Sequence, residues 1–271
     1  MIHVFVKDAL PIVPGNQTAE IIVSGATAHA DFPQTTQCAG TAPRSVSGHA
    51  FIASAAVTVE DPEDPLLLGV TEGFVDIPAT GGHDHQELPS VILLEPNGEV
   101  LNTENVSSDS AGNIVGPTIT ASSYAQAAHV CLLEMATGCT VRATLVKSQS
   151  NSSGPSSGSA TNNPTSNATG TQLVGLEIAG TPIDITPPPN TVINIPGVGF
   201  IILNEQFCDG GGTLANGCKD GLHSGLTVRA IRIVVTLLQP LGVGAEVIVS
   251  EAHSDVTRPA PVAPPIPVTG A

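Results

Sequence analysis

Apolar and polar positions alternate with a period of two in short runs along the chain, and no window sustains the 3.6-residue period of an amphipathic helix. The cleanest run is "HAFIASAAVTVE" at 49–60. Read as one strand, it turns Phe51, Ala53, Ala55, Val57 and Val59 to one face and Ser54, Thr58 and Glu60 to the other. "DPEDP" then stops it. Similar runs occur at 19–30, 66–77, 91–95, 114–121, 124–134, 140–147, 173–178, 191–195, 198–203, 225–238 and 244–252, most of them separated by Gly, Pro or Asn. "SYAQAAHVCLLEMA" is helix-permissive by propensity, but Gly138 and Cys139 lead straight into the alternating "TVRATLV", so the pair reads as a hairpin. The long run "GLTVRAIRIVVTLL" has the two apolar faces of a central strand, interrupted by Arg229 and Arg232, which must reach solvent or a partner.

Many short strands at regular spacing predict an all-β fold, either a β-sandwich or two stacked β-rich domains with long loops. The organisation expected is an N-terminal strand or arm at 1–13, a β-rich part at 14–117, a second β-rich part at 118–256 and a Pro-rich tail at 257–271. "IHVFV" at 2–6 is cut off from the rest of the chain by "PIVPGN", which makes it a first strand or a detached arm. Residues 148–170, "SQSNSSGPSSGSATNNPTSNATG", are low in complexity and short of apolar surface, so a long surface loop is expected there. Gly154-Pro155-Ser156-Ser157-Gly158 inside it matches the hydrolase pattern G-x-S-x-G, but lacks the strand before and helix after that the nucleophile needs.

Composition narrows the functional classes. Asp and Glu outnumber Lys and Arg by 24 to 8, for a formal net charge of −16, so a nucleic-acid backbone or an anionic membrane is repelled. No apolar run approaches the roughly 18–20 residues that cross a bilayer as a helix, so no transmembrane segment is expected. The opening "MIHVFVKDAL" lacks the basic start, apolar centre and cleavage site of a secretory signal, so export requires that such a segment has been removed. The cysteines favour export. Cys131 and Cys139 bracket "LLEMATG", Cys208 and Cys218 bracket "DGGGTLANG", and each pair can close a short loop worth about 2–3 kcal/mol. Cys38 is left over, and buried reduced thiols are the alternative.

The segments "PNTVINIPGVGFIILNEQ" at 189–206, "GLTVRAIRIVV" at 225–235 and "GAEVIVSEAHSDV" at 244–256 resemble the choice-of-anchor P family of bacterial surface proteins, as does "YAQAAHVCLLEMATGCTVRATLVKSQS" upstream. The resemblance covers 118–256 well and 19–60 loosely. It implies export, an exposed β-rich body and a C-terminal sorting signal that differs between members, and it brings no catalytic residues. In the tail, Pro267, Thr269 and Gly270 form a relaxed copy of a sortase signal, "IPVTG". No apolar segment or basic tail follows it, and Ala271 lies beyond the cleavage point, so a truncated anchor and a chance match within a Pro-rich spacer both stay open.

Two polar clusters are candidates for cations. "GGHDHQE" puts His83 and His85 on one side of an extended segment, where they suit a transition metal, against a solvated loop tip. "EDPEDP" gathers Asp61 and Asp64 with two glutamates, hard ligands for Ca²⁺, against a simple charged turn. No other cofactor is indicated. Cys131 beside His129 is read as core packing, and His253 with Asp255 as a local hydrogen bond.

Together these features predict an exported, non-enzymatic protein of the extracellular space or cell surface, structural or adhesive. Its partners would be the cell wall or copies of itself, polymerised by strand addition through Ile2, Val4, Phe5 and Val6. The alternative is a secreted glycan-binding or polysaccharide-hydrolysing β module, which the absence of Trp and the single Tyr124 disfavour.

Overall fold

A computed structural model describes residues 2–7, 18–23, 44–59, 66–95, 98–135, 138–157, 162–183, 187–195, 199–238 and 243–261. In chain order the strands begin with β1 (Ile2–Lys7), β2 (Thr18–Val23), β3 (Ser45–Val59), β4 (Leu66–Glu72), β5 (Val75–Ile77) and β6 (Gly82–Glu95). Next come β7 (Gly98–Asn113), β8 (Thr118–Met135), β9 (Gly138–Pro155), β10 (Thr165–Asn167), β11 (Gln172–Val174), β12 (Glu177–Ile178) and β13 (Thr181–Pro182). The last are β14 (Thr191–Ile195), β15 (Gly199–Cys208), β16 (Lys219–Asp220), β17 (His223–Leu238) and β18 (Val243–Thr257).

These build two stacked antiparallel sheets. The first runs β13-β12-β9-β8-β7-β6, with β10 and β11 also on β9; the second runs β14-β15-β17-β18-β3-β4, with β16 on β17 and β5 on β3. β1 and β2 form a two-stranded sheet of their own. Among the described residues there is no α-helix, only one 3-10 turn at Leu214–Asn216. The helix-permissive segment lies in β8 as far as Met135, and β8 pairs with β9 from Met135 and Gly138 onward, Gly138 taking a φ of 108°. The division expected at 117/118 does not separate two domains. It falls between β7 and β8, which are neighbours in one sheet, and the second sheet likewise joins β3 to β14–β18.

Each sheet is crossed by a line at which the ladder skips one residue in successive strands. In the second sheet Leu203–Ile231–Val249–Ala53 pair across, then Glu205–Arg229–Glu251–Phe51. The skipped Asn204 and Ser250 have φ of 49° and 64°. In the first sheet the skips include Pro89 with Asn105, and His129 with Thr144. An extra residue reverses the in–out parity of everything beyond it. Phe51 therefore lies on the face opposite to Ala53, not beside it as strict alternation predicts.

The lines divide the interior into two zones. On one side large aliphatics meet: Leu101, Leu132, Val141, Ile201, Leu203, Ile231, Ile233 and Val249 are fully buried. On the other side most inward positions are Ser, Ala and Gly, with Val75, Leu226 and Val228 as larger exceptions, and the far end is closed by Val46, Ile119 and Val256. There the sheets are joined by hydroxyl pairs: Ser148 with Ser250 at 2.8 Å, and both Ser150 and Ser152 with Ser254 at 2.8 Å. Ser110 and Ser123 pair at 2.8 Å within the first sheet. The chain of pairs runs on from Ser152 to Ser166 at 2.6 Å and to Ser224 at 2.8 Å. Ser250 and Ser150 also lie 2.6 and 2.7 Å from the carbonyl oxygens of Ala125 and Leu226.

This corrects the expected loop at 148–170. Residues 148–155 complete β9 and 165–167 form β10, with Ser148, Ser150, Ser152 and Ser166 buried. The segment orders without large apolar side chains because alternate serines find partners across a narrow interior, which removes the cost of burying a hydroxyl.

The approach of the sheets is tight enough to exclude a methyl group. A Cβ on Gly48 would stand 2.6 Å from Ser123 Oγ, 2.8 Å from Ser110 Oγ and 3.1 Å from the His253 carbonyl oxygen, whereas one on Gly69 would meet nothing closer than 3.6 Å. Gly48→Ala is expected to lower stability by about 1–3 kcal/mol and the melting temperature by several degrees. Gly69→Ala is expected to be near neutral. Paired thermal melts check the contrast, and equal melting temperatures would show that the sheets have room to spare.

Candidate functional site

The parity reversal has its main chemical consequence on the outer face of the second sheet. Arg229 and Arg232 are three residues apart, so strict alternation sends them to opposite faces. With Ala230 skipped they share one face and line up with three glutamates from the flanking strands. Arg232 donates to Glu246 at 3.1 Å and to Glu205 at 2.9 Å. Arg229 donates to Glu205 at 3.2 Å and to Glu251 at 2.6 Å, and His49 Nε2 stands 3.2 Å from the other oxygen of Glu251. The result is a continuous row of charges across β15, β17, β18 and β3, with Arg229 also 5.0 Å from the Phe207 ring centroid.

The next row on the same face is aromatic and acidic. Phe207, Thr227, His253 and His49 pair in sequence across four strands. The His253 and His49 rings stack at 4.8 Å, and Phe74 lies 6.0 Å from His49. His253 Nε2 is 3.3 Å from Asp255, its Nδ1 is 3.0 Å from the Thr227 hydroxyl and 3.4 Å from Asp209. Asp255 also accepts from Ser47, and His223 stands 3.8 Å away. Gly225 makes this convergence possible, because a Cβ there would lie 2.8 Å from Asp209 and 3.0 Å from Asp255.

The electrostatics follow from this geometry. Burial disfavours the charged ring of His253, yet its hydrogen bond to Asp255 and the charges of Asp209, Asp255 and Glu251 raise its pKa above the ordinary imidazole value. Burial likewise opposes ionisation of Glu251 and Asp255. Hydrogen bonds from His49 and Arg229 hold Glu251 below the usual carboxylate range, and those from His253 and Ser47 do the same for Asp255. Thr227, His253 and Asp255 stand in the order hydroxyl, imidazole, carboxylate. A ring held toward its protonated form by two acids is, however, a poor acceptor of a proton from that hydroxyl, and the row is better suited to ion pairing than to nucleophilic catalysis.

The structure places the residues singled out from sequence in several different settings. Cys131–Cys139 and Cys208–Cys218 are disulfides with Cα separations of 5.4 and 5.1 Å, so Cys131 is no partner for His129. His129 is exposed at φ 50° and lies 3.4 Å from Glu104. Ile2, Val4, Phe5 and Val6 are in β1, paired with β2 of the same chain. His83 and His85 are in the edge strand β6, not in a loop, because polar β7 supplies a full ladder beside them. Both turn to Asp109, His83 Nε2 at 2.7 Å and His85 Nδ1 at 3.2 Å. Among the described residues no group of three or more His, Cys, Asp or Glu side chains is arranged to hold a metal ion. Asp61, Asp64, Cys38, Pro267, Thr269 and Gly270 lie outside the described residues.

Sequence reading missed Glu205, Asp209, Glu246, Glu251 and His49 as members of one surface. Their only joint signal is the cross-strand register, which depends on the skipped residues. An open groove of about 520 Å³ lies elsewhere, between Ser153–Pro155, Asn162, Asn163 and Lys219. No helix among the described residues is long and apolar enough to cross a membrane. No protein-family model matches the chain, and no curated protein is significantly similar to it.

The charge row predicts a specific pH response. The raised pKa of His253 gives stability that is fully present below the unfolded imidazole value of about 6.5 and is lost as pH rises through the folded one. The depressed values of Glu251 and Asp255 give stability present above about pH 4 and lost as pH falls through their folded values. Thermal stability is therefore expected to peak in mildly acidic solution. His253→Gln should flatten the decline on the alkaline side, and an unchanged alkaline slope in that variant would assign the decline to other groups.

Proposed function

We propose that the chain is an exported structural or adhesive protein of the bacterial cell surface, working by assembly rather than by catalysis, and that copies join by strand addition. The observation that carries this reading is the pair of disulfides, each closing a short loop at a strand end. Disulfides form and persist in oxidising compartments, which favours an extracellular setting. The interior supports a mechanical role. Two long sheets held by backbone ladders, an aliphatic cluster and buried serine pairs distribute a load over many small contacts. The resemblance of 118–256 to choice-of-anchor P surface proteins points the same way. For the glycan-binding alternative, the one tyrosine is a poor platform, since Lys147 sits 4.6 Å over the ring of Tyr124.

Electron microscopy of cell-surface and shed fractions, with the protein identified by mass, tests the reading. The expected result is regular fibres or sheets containing this chain, with Cys131 linked to Cys139 and Cys208 to Cys218 in unreduced digests. A chain confined to the cytosol with free thiols would remove the basis of the proposal.

A further inference from the structure

We infer that β14 is the acceptor edge for strand addition and that its occupant is β1 of a second copy, so that assembly runs head to tail. This rests on the proposed role in assembly and names the two surfaces that meet.

The free edges of the two large sheets are not equivalent. β6 carries His83, Asp84, His85 and Glu87 and is broken by Pro89, all devices that discourage pairing. β13 is two residues long and includes Pro182. β4 is weakened in its middle by Gly69 and ends in Glu72. β14, "TVINI", has no charge, no glycine and no proline, and among the described residues it pairs with β15 alone. Its Val192 is 58% exposed, and Ile193 and Ile195 are only partly buried against the main aliphatic cluster. A strand added beside it would satisfy the open backbone groups and cover that rim of the core.

The occupant follows from length, pairing and charge. β1 pairs on one side with β2, and among the described residues the two make a sheet joined to neither eight-stranded sheet. A two-stranded sheet alone is marginal in water and gains from a third strand. Six residues in β1 match five in β14. Copies carrying a formal charge of −16 repel one another over most of their surface. "IHVFVK" includes Lys7 and no acid, and β14 is neutral, so this pairing escapes the repulsion. Donor and acceptor are different strands, which makes the contact heterologous and open-ended.

Two variants of the full chain separate the surfaces. Val4→Pro disables the donor. Val192→Glu with Asn194→Glu charges the acceptor at two exposed positions. Light scattering is expected to show polymers of the unaltered chain and roughly a tenfold or greater loss of assembled mass for either variant alone. An equimolar mixture of the two is expected to give 1:1 dimers and nothing longer, since it holds one working donor and one working acceptor per pair. A peptide of residues 1–8 in excess should shorten polymers of the unaltered chain, a readout that does not depend on how a variant folds. Variants that polymerise normally, a mixture that stays monomeric or a peptide without effect would overturn the β1–β14 pairing and leave the structural role standing. An unaltered chain that stays monomeric, from cells whose surface fractions lack fibres, would overturn both.

Discussion

The close approach of the two sheets over the serine-lined half of the interior is the constraint on which the rest depends. Ordinary sandwich cores keep their sheets about 10 Å apart with interdigitated aliphatic side chains. Here Gly48, Ala50, Ala125, Ala252 and the serines leave little volume for such side chains beyond Val75, Leu226 and Val228, and the hydroxyls that replace them must be paired. Each pair is worth little net, but an unpaired hydroxyl in the same place is costly. The network therefore acts chiefly as a specification of register. Sliding one sheet by a residue would separate Ser150 and Ser152 from Ser254, and Ser148 from Ser250, all at once.

The skipped ladder positions reconcile this narrow half with the wider aliphatic half. A strand that continued in strict alternation would have to change from large to small residues on one face without changing its tilt. With one residue inserted in successive strands, and Asn105, His129, Asn204 and Ser250 at positive φ, the sheets turn as units and exchange faces. The same insertion aligns Arg229 with Arg232 and sets them between Glu205, Glu246 and Glu251. The charged outer row and the buried serine network are thus two results of one backbone event. A partly buried ionic chain of this kind contributes less to stability than to the uniqueness of the pairing, since its desolvation cost offsets much of its attraction.

Much of the fold was legible in the sequence, because period-two patterning and turn residues act locally. The hairpin of β8 and β9, the runs at β3, β14, β15, β17 and β18, and the loop-closing spacing of the cysteines all follow from neighbours along the chain. What was illegible depends on neighbours across it. Solvated and interior serine-rich segments look alike to a hydrophobicity argument. Only the presence of Ser250 and Ser254 on the facing strand makes 148–155 an interior strand instead of a loop. The face of Phe51 was misassigned for the related reason that no residue type marks a skip: Asn and Ser occupy such positions here, and both are common in ordinary strands and turns.

A chain built this way has an uneven relation to water. Its interior combines an aliphatic cluster with a serine network, its composition is strongly acidic, and many of its charged residues concentrate on the outer row and on β6. Repulsion between copies is then the default. Under that condition specificity of association does not require a strong interface, only a place where the repulsion is absent and backbone groups are open. Short neutral edges flanked by prolines in sequence, as at Pro189 and Pro196 around β14, meet both requirements while limiting the contact to a few residues. In the proposed assembly the acidic composition and the neutral β14 edge are complementary: the first opposes indiscriminate association, and the second offers a place where that repulsion is absent.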